Sequence, residues 1–263
     1  MTGYKKRQLS KSSTIYIALG VLLIAVMTIA GTSAFMSATD FIVDGASVYT
    51  ADEIVEASGL SVGDNLLFIN AQNASQNIRE LLPFVNAVHI TRKLPDTIHI
   101  EITESIAIAY IFFAGEYYII DSSGRVLERI ESREDSLLTI TNEKLIEIRG
   151  VEIEETPVGR NLRAVFGTET KLQYMLDVLI GLEREELEHD VSFLDVSNIV
   201  NVHFNYLGIY NVILSGTTNL RPSNIRHNLA TLVDNVAEVV RYYPNIPGDI
   251  IYEESGLPKF IPR

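Results

Sequence analysis

Twenty-one consecutive residues without a charge, Ile15 to Phe35, constrain this chain more than any other feature of its sequence. As a helix rising about 1.5 Å per residue, the run reaches roughly the 30 Å of a bilayer's hydrocarbon core. Lys5, Lys6, Arg7 and Lys11 precede it, and the first acidic residues, Asp40 and Asp44, follow it. The positive-inside rule then predicts a cytoplasmic tail at 1–14, a transmembrane helix at 15–36, and C-terminal domains outside the cytoplasm, a single-pass type II arrangement. Thr32-Ser33-Ala34 offers a small-x-small pattern to a signal peptidase. The apolar run is nevertheless longer than the roughly 7–15 residues of a signal peptide core, which favours a retained anchor.

The chain has 263 residues, no cysteine and a formal charge of −13. The four basic residues of the tail are part of that total, so everything after them carries −17. An acidic domain of that kind argues against nucleic acid and anionic lipid headgroups as its main ligands, while folded protein partners remain open. Without cysteine there is neither a disulfide nor thiolate chemistry, and burial must hold the exported part together.

Phe41-Ile42-Val43-Asp44-Gly45 reads as a short strand ended by a turn glycine. Thr50 and Glu53 make a capping box for a helix that Gly59 stops. A second helix is expected from a cap at Ser75, with Ile78, Leu81, Leu82 and Val85 on its apolar side and a boundary near Pro83. Ala87–Lys93 and Thr97–Glu104 are strands joined by Leu94-Pro95-Asp96; Ile98, Ile100 and Ile102 alternate with His99, Glu101 and Thr103. These elements make a β-α-α-β-β module at 41–104, and we expect Leu81 in its core. The remainder, 105–263, reads as a larger mixed β domain with flanking helices, so the fold class is α+β. Its signals are strands at 106–113, a hairpin at 117–127, a helix at 169–182, strands at 193–196, 202–205 and 209–214, and a helix from Pro222 to Pro244.

No constellation of catalytic residues emerges. His89, His99, His189, His203 and His227 are scattered, with no His-x-x-x-His pair. Gly59-Leu60-Ser61-Val62-Gly63 matches the letters of a serine elbow, but a capped helix precedes it where that motif needs a strand. The acidic runs 152–155 and 183–186 suit solvated faces better than paired catalytic carboxylates. We therefore expect no catalytic, cofactor-binding or metal-binding residues, and no enzyme.

Taken in order behind the anchor, several segments resemble the FtsQ/DivIB family of bacterial cell-division proteins. Residues 41–45 are similar to the opening strand of that family's POTRA module, Gly63-Asp64-Asn65-Leu66-Leu67-Phe68 to its interhelical loop, and Arg92-Lys93-Leu94-Pro95-Asp96-Thr97-Ile98 to its closing hairpin. Residues 117–126 resemble the first hairpin of the β domain, and Gly248-Asp249-Ile250 with Pro258-Lys259-Phe260-Ile261-Pro262 its C-terminal strands. Ser105 and Ile106 depart from the proline that often follows the module. The resemblance implies a non-catalytic divisome scaffold at the septum of the cell membrane. It would bind other divisome membrane proteins, especially small coiled-coil single-pass proteins, and help regulate septal peptidoglycan synthesis. An anchored extracytoplasmic cell-wall hydrolase using Ser61 or a carboxylate pair is the alternative.

Partner binding is expected on the C-terminal strand region, at Asp249, Ile251, Tyr252, Glu253, Ser255, Gly256 and Phe260. A strand following the last helix is placed to end a sheet, and an unpaired edge accepts a strand from another chain. Glu253 and Glu254 would discourage self-pairing. Tyr252 and Phe260 are the expected aromatic anchors, whose truncation to alanine should remove partners without lowering the thermal midpoint. The family's Asp-x-x-Tyr-x-x-Ser-Gly pattern falls on Asp249, Tyr252, Ser255 and Gly256.

Overall fold

The computed structural model describes residues 11–131, 144–215, 222–252 and 258–263. Two compact units emerge, one of residues 1–79 with 87–104 and one of 80–86 with 105–263.

The first unit opens with helix α1 (Lys11–Phe35). Its side chains are described at 15–27 and at 31, where most are exposed. Over the described residues, no helix is long and apolar enough to cross a membrane. Beyond it come β1 (Asp40–Asp44), α2 (Ala51–Ser58), α3 (Ala71–Leu81), β2 (Val85–Lys93) and β3 (Thr97–Glu104). The sheet order is β1-β3-β2, with β1 parallel to β3. Ile54 and Ala57 of α2, Ala74 and Ile78 of α3, and Ile98, Ile100 and Ile102 of β3 are buried, as the two periodicities require. Thr50 and Glu53 close the capping box, and Gly59 ends α2 in the left-handed region at φ 71°. Gly45, at φ 83°, ends β1, and a Cβ there would stand 2.1 Å from the Ile102 carbonyl oxygen.

Two expectations need correction here. Helix α3 begins a turn before Ser75, because the Asn70 side chain accepts the Asn73 N–H at 3.1 Å and so caps the earlier start. Leu81 is 65% exposed, since the helix ends at that residue and its buried stripe runs through Ala74 and Ile78 instead. His99 of β3 is buried, its Nε2 2.7 Å from Asp44 Oδ2 and its Nδ1 3.4 Å from Glu101 Oε1.

Glu104 closes this unit. Its Oε1 accepts the N–H groups of Ser47 and Val48, both at 2.9 Å, and the Ser47 hydroxyl donates to its other oxygen. Burial works against the charge, but these hydrogen bonds outweigh it and hold the carboxyl below its ordinary value of 4.5. A depressed folded value means that the group stabilises the fold above pH 4.5, and that this contribution is lost as pH falls through the lowered value. Glu104→Gln should therefore cost about 1 kcal/mol at neutral pH and almost nothing in strong acid. Thermal unfolding of both proteins across pH checks this, and an equal loss at every pH would remove the carboxylate from the account.

In the second unit the strands β4 (Ala109–Phe113), β5 (Glu116–Ile120), β6 (Val126–Ile130) and β7 (Ile146–Arg149) lead to helix α4 (Glu169–Arg184). Then follow β8 (Val191–Asp195), β9 (Asn201–Tyr206), β10 (Tyr210–Ser215), helix α5 (Pro222–Tyr242), β11 (Gly248–Tyr252) and β12 (Lys259–Pro262). All nine strands join one sheet in the order β12-β11-β10-β9-β8-β7-β4-β5-β6. Leu172, Met175, Leu179 and Leu182 of α4 and Ile225, Leu229, Leu232 and Val236 of α5 share one apolar core with the strands. The β5–β6 turn is tied by Asp121, whose Oδ1 accepts from Ser123 N at 2.9 Å and Arg125 N at 3.0 Å. Its Oδ2 accepts the Ser105 hydroxyl at 2.8 Å, so a buried carboxylate accounts for the Asp-Ser-Ser-Gly hairpin.

Candidate partner-binding edge

Gly248–Tyr252 follows the last helix, as expected, but β11 does not end the sheet. It lies between β10, which it meets in parallel, and β12, which it meets antiparallel. The edge is β12, which doubles back through the chain's last residues. Its signal in the sequence is slight: two apolar residues, Phe260 and Ile261, between a lysine and a proline.

The register decides what this edge offers. Asp249 pairs with Ile261 and Ile250 with Phe260, and Arg263 N donates to Pro247 O at 2.9 Å. That bond sets the alternation of the antiparallel ladder, so Lys259 and Ile261 bond inward to β11 while Phe260 turns its N–H and C=O outward. Pro262 presents a carbonyl and no N–H, which keeps the open edge short.

The structure separates the expected site residues. Tyr252 is 2% exposed, and its hydroxyl accepts a hydrogen bond from Asn235 Nδ2 of α5 at 3.0 Å. It is a core residue and not an exposed anchor, because alternation along β11 sends Gly248, Ile250 and Tyr252 inward. Burial pushes its hydroxyl pKa up, and the hydrogen bonds from Asn235 and Thr231 pull weakly the other way. Asp249 and Ile251 lie half-buried on the other face. Asp249 accepts from Asn211 Nδ2 at 3.2 Å and pairs with Arg263, a contact that pins the end of β12 to its neighbour. Glu253, Ser255 and Gly256 lie outside the described residues.

Phe260 is half-buried, its ring centroid 5.4 Å from that of Tyr243 and 6.3 Å from that of Tyr210. Beside it runs a cleft of about 240 Å³ whose walls include Glu238, Tyr242, Tyr243, Ile250 and Pro258. The cleft was not legible in the sequence, since α5 and the two last strands meet only in the fold. Chemically, the region offers an aromatic and aliphatic seat, one carboxylate and a short row of backbone groups.

Ser61 sits in an exposed turn after α2, where its N–H donates to Asp64 Oδ2 at 2.8 Å. Among the described residues, no group of three or more His, Asp or Glu is placed to hold a metal ion.

Comparison with known proteins adds names to this geometry. Residues 36–105 match the family described as POTRA domain, FtsQ-type. The chain is 30% identical over 156 residues to the cell division protein DivIB of Clostridium botulinum, covering 59% of this chain and 57% of that protein. It is 26% identical over 162 residues to DivIB of Clostridium tetani, covering 62% and 57%. With the cell division protein FtsQ of Corynebacterium glutamicum it shares 40% identity over 83 residues, covering 32% of this chain and 37% of the other. The chain thus spans little more than half the length of the DivIB proteins it matches.

Proposed function

Since this chain belongs with the FtsQ/DivIB cell-division proteins and carries their type of POTRA domain, we propose that it is a non-catalytic scaffold of the bacterial division machinery. It is held in the cell membrane at the septum by α1, with its N-terminus in the cytoplasm and residues 41–104 and 105–263 folded outside as two domains. Its partners are other single-pass division proteins, among them small coiled-coil ones, and through them it helps regulate septal peptidoglycan synthesis. The charge-free sequence from Ile15 to Phe35 and the basic residues before it support the anchor.

The observation that carries the scaffold reading is the edge β12. A partner strand laid along it gains backbone hydrogen bonds from Phe260 and the Pro262 carbonyl, while its side chains reach the aromatic cleft. Glu238 on the wall of that cleft favours a partner bringing Lys or Arg.

Phe260→Pro removes the outward N–H together with the ring and leaves the inward bonds of Lys259 and Ile261 in place. We expect it to abolish recovery of division proteins from solubilised membranes and to delocalise a fluorescent fusion from midcell. Lys259→Ala should leave both unchanged. Full recovery and midcell placement of Phe260→Pro would remove β12 from the function.

A further inference from the structure

The POTRA domain carries a group of exposed apolar side chains at one end, and backbone bonds fasten that end to the residues that follow α1. Ala38 N donates to Asp64 O at 2.7 Å, Gly63 N to Ala38 O at 2.8 Å and Leu66 N to Met36 O at 2.8 Å. Ser37 and Asn65 complete this small antiparallel contact. The loop between α2 and α3 is therefore fixed to the first three residues beyond Phe35, a span of at most about 10 Å.

On that loop Leu66 and Ile69 are buried and hold it from within, whereas Val62 is 71% and Phe68 74% exposed, with Leu67 half-exposed. From Ala57 to Ile78 the only charged residue is Asp64, and its carboxylate is taken up by the Ser61 N–H. Such a run is out of keeping with a chain in which 21% of residues are charged. The β2–β3 turn is brought to the same place, since Thr39 N donates to Asp96 O at 2.8 Å. There Leu94 is exposed, and Arg92 and Lys93 stand beside it. Arg92 spends one donor on Ile69 O, at 2.8 Å, which ties the turn to the loop.

Apolar side chains flanked by cations are the chemistry of a lipid–water interface. The apolar groups enter the boundary between headgroups and acyl chains, and the cations meet lipid phosphates. We propose that this end of the POTRA domain seats in the surface of the membrane, with Val62, Leu67, Phe68 and Leu94 at the acyl boundary and Arg92 and Lys93 among the headgroups. This rests on reading α1 as the membrane helix. If Phe35 marks the outer limit of the hydrocarbon core, the tether keeps the loop within about 10 Å of it, and the headgroup layer takes up roughly the first 5–8 Å of that distance. A protein partner would need no such tether. Asp64 and Asp96 stand at the same end as Arg92 and Lys93, so the cations only balance them there and the binding is chiefly apolar. The consequence is a POTRA domain held at a set height and orientation above the bilayer instead of swinging on residues 36–39.

Because the chain has no cysteine, single probes can be placed cleanly. The full chain is reconstituted in vesicles of phosphatidylcholine and phosphatidylglycerol, with a fluorophore on Ser61→Cys or on Leu22→Cys, and lipids bearing a nitroxide near the headgroup or deep in the chain. The Leu22 probe reports the anchor and the Ser61 probe the loop. We expect deep quenching at Leu22, shallow quenching at Ser61, and loss of the latter when Val62→Ser and Phe68→Ser are added. Quenching at Leu22 with none at Ser61 overturns the seating and leaves the anchor standing. No quenching at either overturns both, and shallow quenching that survives the two serines overturns the role of the apolar side chains. The vesicles hold no other protein, so quenching at Ser61 is not a docked partner.

Discussion

Replacing Ile78 by aspartate is expected to unfold the POTRA domain, whereas the same change at Leu81, three residues on, should be almost silent. Ile78 is fully buried on α3, while Leu81 is largely exposed. A carboxylate at the first position loses the apolar burial and must either be neutralised or stand unpaired in the core, at a cost of roughly 3–5 kcal/mol. At the second position the expected change is within about 0.5 kcal/mol. Amide hydrogen exchange on the full chain reads both, with protection of β3 lost in Ile78→Asp and kept in Leu81→Asp. Equal effects at the two positions would mean that α3 is rotated from the orientation described.

The second large effect is expected at Tyr252. Truncation to alanine empties a site in the core of the β domain and leaves Asn235 without its acceptor, which together cost about 3–5 kcal/mol. The thermal midpoint should fall by several degrees. Tyr252→Phe removes only the hydroxyl and should cost about 1 kcal/mol. Any loss of partners by Tyr252→Ala therefore reports damage to the sheet that supports β12, not a lost contact. An unchanged midpoint in Tyr252→Ala would place the ring outside the core and restore it as a surface anchor.

Tyr252 lies in the core and not at the expected edge for a specific reason. An aromatic residue in an edge strand and one in an interior strand look alike in sequence, and which it is depends on whether another strand pairs beyond it. Here β12 supplies that strand, and the face on which Tyr252 lands is covered by α5, more than ten residues earlier in the chain. Leu81 departs from its expected burial for a different reason. Ile78, Leu81, Leu82 and Val85 have helical spacing, but Pro83 breaks the helix between them, so Val85 is buried as the first residue of β2 instead.

What the sequence alone determined were the features carried by neighbours along the chain: the capping box of Thr50 and Glu53, the left-handed stop at Gly59, the turn at Gly45, the isoleucine alternation of β3 and the Asp-Ser-Ser-Gly hairpin. Each depends on bonds or sterics within a few residues, or on a period of two, so local chemistry specifies it. Tertiary structure alone decided the strand order, the identity of the edge, the cleft beside Phe260, and the fastening of the Val62–Phe68 loop to residues 36–38. Those depend on pairings between distant segments, and a β-strand's pattern states which face is buried without stating which strand lies next to it.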